Sequence, residues 1–217
     1  MIDMIDFSKG DAYHDYMKVD QRTMAAHRRA MLEQAGKLFR ERGLDGVTIA
    51  EISNAAGMTH GAFYGHFASK TVLAAEACRH LLESAALRWR RRVFAAKRSG
   101  ADPVSVLIEG YLTPAARDSR DRSCALASLG SEASRDPDLL PAVTAGARAL
   151  MDVLTDLIME RRPDDPADER EQAALSALAA MSGGLTLARV LADDPRLSAV
   201  ALQAATSLAK RAINGTT

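Results

Sequence analysis

Cysteine is scarce in this chain, and so are the features of a secreted or membrane protein. Only Cys78 and Cys124 occur among the 217 residues, and their spacing matches neither a disulfide framework nor a zinc site. The N-terminus lacks the basic start and apolar run of a signal peptide. No uninterrupted apolar stretch approaches the ~20 residues of a membrane helix. We therefore expect a protein of the reducing cytoplasm that has no membrane partner.

Strand-like and catalytic patterns are also missing. Alternating runs rich in Val, Ile and Thr are absent, whereas helical periodicity and helix-capping signals recur along the chain. No Ser/His/Asp order, metal-ligand spacing or glycine-rich phosphate loop stands out. These absences predict an all-α fold, and they argue against an enzyme, a bound cofactor or a metal site.

The neutral net charge conceals an uneven distribution. Residues 20–98 hold 14 Lys and Arg against 7 Asp and Glu, whereas residues 99–217 hold 12 against 17. A basic N-terminal half suggests contact with a polyanion such as nucleic acid, although a solvated helical face also carries such charges.

Helix start and stop signals divide the chain into about nine helices after an irregular, mobile arm at residues 1–20. The predicted helices span about 22–42, 48–56, 59–67, 69–98, 103–117, 122–134, 139–161, 166–192 and 196–213.

The second predicted helix stops at a glycine, and a third helix starts within three residues. Thr48 and Glu51 form a capping box, Gly57 supplies the left-handed residue that ends the helix, and Thr59 caps the next helix. Two helices joined by such a turn form a helix-turn-helix, whose second helix enters the DNA major groove in many regulators. All-α proteins also use this turn for structure alone.

The spacing assigns an inner and an outer face to the third helix. Phe63 and Phe67 lie four residues apart and are expected to face the core. His60, Gly61 and Tyr64 then form an outer rim, which is the surface that a major groove would receive.

Several groups near this rim have the chemistry to bind phosphate. Tyr64 and His66 donate hydrogen bonds, and Lys70 lies in the first turn of the fourth helix, where its charge and the free amides converge on an anion. Thr48 occupies a similar helix start. Arg28 adds positive charge near the beginning of the first helix.

These motifs lie in residues 38–73, whose sequence is LFRERGLDGVTIAEISNAAGMTHGAFYGHFASKTVL. This segment resembles the tetracycline-repressor (TetR) family of bacterial transcriptional regulators. The family pattern is matched at Phe39, Gly43, Thr48, Ile52, Ala56, Gly57, Gly61, Tyr64, His66, Phe67, Ser69 and Lys70. Outside these residues the chain is similar to the family in length and helical layout only.

The resemblance implies roles for individual residues. Thr48, Tyr64, His66 and Lys70 would contact phosphates, together with the candidate Arg28. His60, Gly61 and Ala62 would lie against base edges, and Thr59, which caps the third helix, is a further DNA-binding candidate. Two departures from the pattern are Gly65, where some members carry a large base-contacting side chain, and Thr71-Val72, which replace an acidic helix start.

Members of the family are homodimers, usually with a ligand cavity in the C-terminal domain. Candidate lining residues here are Trp89, Leu107, Tyr111, Leu126 and Met151. The last two helices are rich in small residues, which allow close contact between helices, and two copies of the pair could form a four-helix dimer interface. The candidate interface residues are Ala177, Ala180, Gly184, Ala188 and Leu202. Both sets are also compatible with ordinary packing inside one subunit.

Two residues of the segment 123–137 keep alternative interpretations. Glu132 is either a polar group of the cavity or a solvent-facing carboxylate. Cys124 qualifies as a redox sensor only if its thiol pKa is depressed.

The sequence thus predicts an arm at 1–20, a helix-turn-helix DNA-binding domain at 21–68 and a helical ligand-binding and dimerisation domain at 69–217. The expected function is a homodimeric repressor that an unidentified small apolar or amphipathic ligand releases from double-stranded operator DNA. The alternative is a DNA-binding regulator without a small ligand, which a protein partner controls or which acts architecturally. Neither requires a cofactor.

Overall fold

The computed structural model describes residues 8–119, 121 and 124–215, with side chains described from residue 21 onward. Throughout these residues the regular secondary structure is helical, and the described part of the chain contains no strand. The predicted all-α fold with an N-terminal helix-turn-helix is confirmed.

The first helix is longer than predicted. Helix α1 runs from Ser8 to Arg42, so the described part of the predicted arm is helical rather than irregular. Residues 1–7 of that arm lie outside the described residues. The apolar stripe of α1 is fully buried at Met31 and Phe39, as the spacing of these residues predicts.

The helix-turn-helix follows the predicted capping pattern. Helix α2 (Ile49–Ala55) begins at the capping box of Thr48 and Glu51, and Gly57 adopts a left-handed φ of 73°, which favours glycine. Helix α3 (His60–Phe63) is shorter than the predicted 59–67. Hydrogen-bonded turns continue the path to Phe67, whose N–H donates to the Phe63 carbonyl at 3.0 Å.

The long connecting helix α4 (Lys70–Ser99) agrees with prediction at both ends. Ser69 accepts a hydrogen bond from the Val72 N–H at 3.1 Å, so this cap forms without an acidic first turn. Gly100 ends the helix in the left-handed conformation, with φ of 74°.

Six further helices build the C-terminal part: α5 (Pro103–Tyr111), α6 (Pro114–Asp118), α7 (Ala125–Ala133), α8 (Leu140–Arg161), α9 (Ala167–Val190) and α10 (Pro195–Asn214). The predicted single helix at 103–117 is therefore two helices. Thr113 is extended and caps α6 through the Ala116 N–H at 2.9 Å, and Pro114 cannot donate the N–H that a continuous helix needs.

Two apolar clusters hold the fold together. The larger one joins α4, α5, α8, α9 and α10 in the C-terminal part. The smaller one contains the buried residues of α1 to α3 and also Leu129, Ala133 and Leu139 from the α7–α8 region. The core of the N-terminal domain therefore extends beyond residue 68 and includes side chains of the C-terminal part.

The small residues of α9 pack inside the subunit. Ala177 and Ala188 are fully buried, as is Gly184, where an added Cβ would lie 2.1 Å from the Cβ of Ala205 on α10. Leu202 of α10 is also buried, and Ala180 is half-buried against the larger cluster. The prediction of a dimer interface is therefore wrong for the four buried residues, because their surface is already covered within one chain, whereas Ala180 keeps part of its surface exposed.

Helix α9 is long and apolar enough to cross a membrane by length and composition alone. Its buried side, however, belongs to the larger apolar cluster with α8 and α10. A core helix of a helical domain has the same composition, so this feature is weak evidence for a membrane span.

Candidate nucleic-acid interface

The third helix rests on a buried aromatic base. Phe63 and Phe67 are 0% and 2% exposed, and their ring centroids lie 5.8 Å apart. Both belong to the smaller apolar cluster, in which Ile52 of α2 is fully buried. This packing fixes the angle at which α3 leaves the domain surface, and the inward face agrees with the prediction.

The opposite face of α3 is open to solvent. Tyr64 is 59% exposed, and its ring meets the His60 ring edge-on at a centroid distance of 5.8 Å. Gly61 is exposed, and a Cβ built there would have no neighbour within 4 Å. Thr59 caps the helix through the Ala62 N–H at 3.3 Å, and Ala62 itself is half-buried. The structure thus brings the candidate base-reading residues together on one rim.

The donors of Thr48 are engaged by its own helix. Its N–H and its hydroxyl both donate to the Glu51 carboxylate, each at 2.8 Å, and Arg42 pairs with the same carboxylate at 2.7 Å. These bonds, the backbone bond from Thr48 first, lower the pKa of Glu51 to about 2. A phosphate contact by Thr48 therefore requires this carboxylate to move aside.

The guanidinium of Arg28 is engaged within the chain, which corrects its assignment as a DNA contact. Its guanidinium donates to the His66 carbonyl at 2.5 Å and to the Glu76 carboxylate at 2.6 Å, and it lies 4.2 Å from the centroid of the Phe67 ring. These contacts occupy the guanidinium and tie α1 to α4 and to the end of the α3 region. Arg28 is a structural residue of the helix-turn-helix domain.

His66 is half-buried beside the rim. Burial, followed by the nearby His27 and Arg28, lowers its pKa below the ordinary value. At neutral pH the ring is therefore neutral, and His66 offers a hydrogen bond rather than a charge. Lys70 is half-buried in the first turn of α4, a position that remains compatible with its predicted phosphate contact.

Only two of the five predicted ligand-cavity residues line the same cavity. Trp89 and Tyr111 line a partly open space of about 110 Å³ next to Cys124, and their rings meet edge-on at 5.7 Å. Leu107 is fully buried core and Leu126 packs against the larger apolar cluster. Met151 lines a separate open groove between α8 and α9, so these three residues do not share the space beside Trp89 and Tyr111.

Sequence reasoning missed the polar side of this cavity. Its lining includes Arg40 of α1 and Arg88 and Arg92 of α4, so the space is not the largely apolar one expected. A signal was present, because two arginines four residues apart lie on one face of a helix.

The structure also bears on Glu132 and on the two cysteines. The Glu132 carboxylate accepts a hydrogen bond from the Leu44 N–H at 2.7 Å, and so it links α7 to the turn after α1. The residue is half-buried and lines an open groove that is separate from the cavity beside Tyr111. Burial raises the pKa of the Cys78 thiol to about 11, which makes that thiol unreactive. Cys124 is half-buried and lines the cavity.

Known proteins resemble this chain in both parts. Residues 31–77 match the family model of bacterial regulatory proteins of the tetR family. An uncharacterised HTH-type transcriptional regulator of Mycobacterium tuberculosis is 28% identical over 175 residues, which cover 78% of this chain and 88% of that protein. The HTH-type transcriptional repressor KstR2 of Rhodococcus jostii is 32% identical over 87 residues, or 40% of this chain and 43% of that repressor.

Solved structures share the fold. The reduced form of E. coli NemR gives a TM-score of 0.67 at 19% identity and covers 84% of this chain and 96% of NemR. A TetR-family regulator from Agrobacterium tumefaciens gives 0.65 at 20% identity and covers 87% of this chain and 98% of its own. The two relatives and the Agrobacterium neighbour are regulators rather than enzymes, and by its N-terminal DNA-binding domain, residues 31–77, the chain belongs to the TetR family of bacterial regulatory proteins, as a transcriptional regulator.

Proposed function

We propose that this chain is a cytoplasmic, homodimeric repressor that binds operator DNA through α3 and leaves it when a small molecule occupies the C-terminal domain. The observation that carries the proposal is the division of the α3 region into two faces. Phe63 and Phe67 are fully buried, whereas Tyr64 is 59% exposed beside His60. An exposed rim on a rigid base is the geometry that a recognition helix needs.

On this proposal some residues of the rim contact the DNA backbone and others contact the bases. Tyr64, His66 and Lys70 bind phosphate oxygens, which fix the position of α3 in the groove. His60 and Gly61 face base edges, since the space above Gly61 is open and lets a base pair approach the backbone closely. The named repressor among the relatives, KstR2, supports repression as the direction of control.

The test of the rim is Tyr64→Ala. Removing a hydrogen bond to a charged phosphate is expected to weaken operator binding roughly 10- to 100-fold, measured by fluorescence anisotropy with promoter fragments from the gene's own locus. Phe94→Ala is the matched control, because Phe94 is an aromatic residue 63% exposed on α4. Equal operator affinity of Tyr64→Ala and the unsubstituted protein would contradict the assigned face.

Dimerisation is supported by the outer faces of α9 and α10 rather than by their small buried residues. Each of these helices leaves an apolar stripe in solvent: Leu175, Leu187 and Val190 on α9, and Leu197, Val200 and Leu208 on α10, with exposed fractions between 37% and 74%. Exposed apolar surface of this kind marks association sites, and two copies of a helix pair form a four-helix interface.

Leu187→Arg tests this interface. A charge in the centre of the stripe is expected to convert the dimer to a monomer, as measured by sedimentation velocity, while the helical circular dichroism spectrum stays unchanged. Phe94→Arg serves as the control, since it places the same charge on another exposed apolar residue. A Leu187→Arg protein that sediments as a dimer would show that the subunits meet elsewhere.

A regulator without a small ligand is the second candidate, and the cavity beside Tyr111 favours it. That cavity holds only about 110 Å³, below the ~300–1,000 Å³ of pockets for drug-sized ligands, and the larger space of about 680 Å³ beside Met151 is an open surface groove. If this candidate is correct, the low-molecular-weight fraction of a cell extract leaves operator affinity unchanged. A fraction that lowers the affinity contradicts it.

A further inference from the structure

Three arginines meet in the small cavity at the junction of the two parts of the chain. Arg40 comes from the end of α1 and is half-buried, whereas Arg88 and Arg92 come from one face of α4 and are partly exposed to solvent at the cavity mouth. No carboxylate of the described residues lies within ion-pair distance of these three guanidinium groups. Arg40 donates to the Asp121 carbonyl at 2.7 Å and Arg92 to the Gly110 carbonyl at 3.3 Å, so their fixed partners are neutral oxygens.

The three charges disfavour one another. Burial and then the charge of Arg88 lower the pKa of Arg40, with partial relief from Asp121 and Glu41. Burial and then Arg92 lower the pKa of Arg88 in the same way. Like charges four residues apart on a helix are destabilising, so an anion bound between these guanidinium groups would relieve their repulsion.

A buried hydroxyl lies beside the arginines. Tyr111 lines the cavity and is only 7% exposed, and its hydroxyl has no oxygen or nitrogen partner among the described residues. The neighbouring Cys124 thiol is a weak hydrogen-bond partner. Burial raises the pKa of Tyr111 well above its ordinary value, which keeps the hydroxyl protonated as a donor. Buried hydroxyls without partners are costly and rare.

The remaining walls are apolar, and the space is compact. Leu81, Ala85, Trp89 and Leu185 line it beside the arginines. A volume of about 110 Å³ admits a charged group with a short apolar body and excludes a large hydrophobic ligand.

We propose that this cavity binds a compact oxyanion, the carboxylate or phosphate group of a small ligand, through Arg40, Arg88 and Arg92 with the Tyr111 hydroxyl as a further donor. Guanidinium groups match carboxylate and phosphate oxygens with two parallel hydrogen bonds. The inference rests on the proposed ligand response and names the chemical class of that ligand: it is anionic.

The position of the site gives the anion a route to the DNA-binding domain. Arg40 belongs to α1, whereas Arg88 and Arg92 belong to α4, so one anion contacts both helices. Helix α7 starts directly after Cys124 and inserts Leu129 into the smaller apolar cluster, which also contains the base of α3. Occupancy of the cavity is therefore expected to change operator affinity.

The experiment uses the single tryptophan of the chain, Trp89, whose ring lies in the cavity wall. The full-length protein is titrated at constant ionic strength with inorganic phosphate, butyrate and the neutral isostere butyramide, and Trp89 fluorescence is recorded. Saturable changes with phosphate or butyrate, and none with butyramide, are expected. Which anion responds distinguishes a phosphate from a carboxylate ligand.

Substitutions then locate the binding. Arg88→Gln and Arg92→Gln are each expected to weaken anion binding at least about tenfold, because each removes charge-assisted hydrogen bonds, and Tyr111→Phe is expected to weaken it about three- to tenfold. Arg91→Gln is the matched control, because Arg91 is an exposed arginine of the same helix that does not line the cavity. Butyramide binding as tightly as butyrate, or unchanged binding by both arginine variants, would overturn the proposal.

Operator binding, measured in parallel, separates this inference from the proposed function. Saturable anion binding that leaves operator affinity unchanged supports the anion site and contradicts the ligand-controlled repressor. Intact operator binding with no fluorescence response to either anion overturns the anion site and leaves the DNA-binding function standing.

Discussion

At the scale of single residues, charge and position along the chain do not reveal the partner. Arg28 has the sequence position of a phosphate contact, but its guanidinium is held by Glu76, the His66 carbonyl and the Phe67 ring. Tyr64 has the same helix-turn-helix context, and its side chain is exposed. Whether Arg28 is engaged or free depends on tertiary structure, because it is set by which side of α1 faces α4.

The Arg28–Glu76 pair is therefore expected to contribute to folding. Arg28→Met and Glu76→Gln should each lower the free energy of unfolding by about 1–2 kcal/mol, since these side chains are only 38% and 26% exposed and each loss leaves a partner unpaired. The double variant should lose less than the two single losses together. Urea unfolding of the four proteins measures this coupling, and additive losses would show that the pair contributes nothing.

At the scale of helices, the sequence predicted where several helices begin and end, but it did not predict which helices pack against each other. Capping boxes, left-handed glycines and apolar stripes involve neighbours within a few residues, so the limits of α2 and α4 followed from the sequence. Pro114 signalled the break between α5 and α6, although the prediction extended through it. The small face of α9 was recognised, but spacing alone cannot decide whether α10 or a second subunit covers it.

The same limit applies to the candidate cavity. Apolar residues at helical spacing line a core and a cavity alike, which is why Leu107 and Trp89 were not separable from the sequence. The spacing of Arg88 and Arg92, by contrast, does place two charges on one face of α4, and the sequence contained that information. The position of Arg40 opposite them depends on the packing of α1 against α4 and was not predictable.

Two adjacent glycines of α9 provide a matched test of the helix contact. Gly184→Ala is expected to destabilise the fold by about 1–3 kcal/mol, because the new methyl group collides with Ala205 and forces α9 and α10 apart. Gly183→Ala meets nothing within 4 Å in the subunit, and it should stabilise α9 by up to about 1 kcal/mol through helix propensity. Thermal unfolding compares the two, and equal effects would mean that α9 and α10 are not in close contact.

At the scale of the whole molecule, the basic N-terminal half proves to be two separate features. Six of its 14 Lys and Arg lie on the second half of α4: Arg88, Arg90, Arg91, Arg92, Lys97 and Arg98. Without them, residues 20–87 hold 8 basic against 7 acidic residues. Because a helix rises about 1.5 Å per residue, Arg90 lies about 30 Å along α4 from Lys70. The charge excess that suggested nucleic acid therefore lies mostly away from the rim of α3.

Operator binding should consequently depend on few charges, with Lys70 the main cation of the rim. The slope of log K against log salt changes by about 0.9 for each phosphate neutralised, so Lys70→Gln is expected to flatten the slope by about 0.9 per subunit, or roughly twice that for a dimer. Arg91→Gln removes the same charge from the distant part of α4 and should leave the slope unchanged. Anisotropy titrations over a range of salt concentrations measure both. If Arg91→Gln flattened the slope as much as Lys70→Gln, the second half of α4 would have to lie against DNA, and α3 could not be the sole reading element of the molecule.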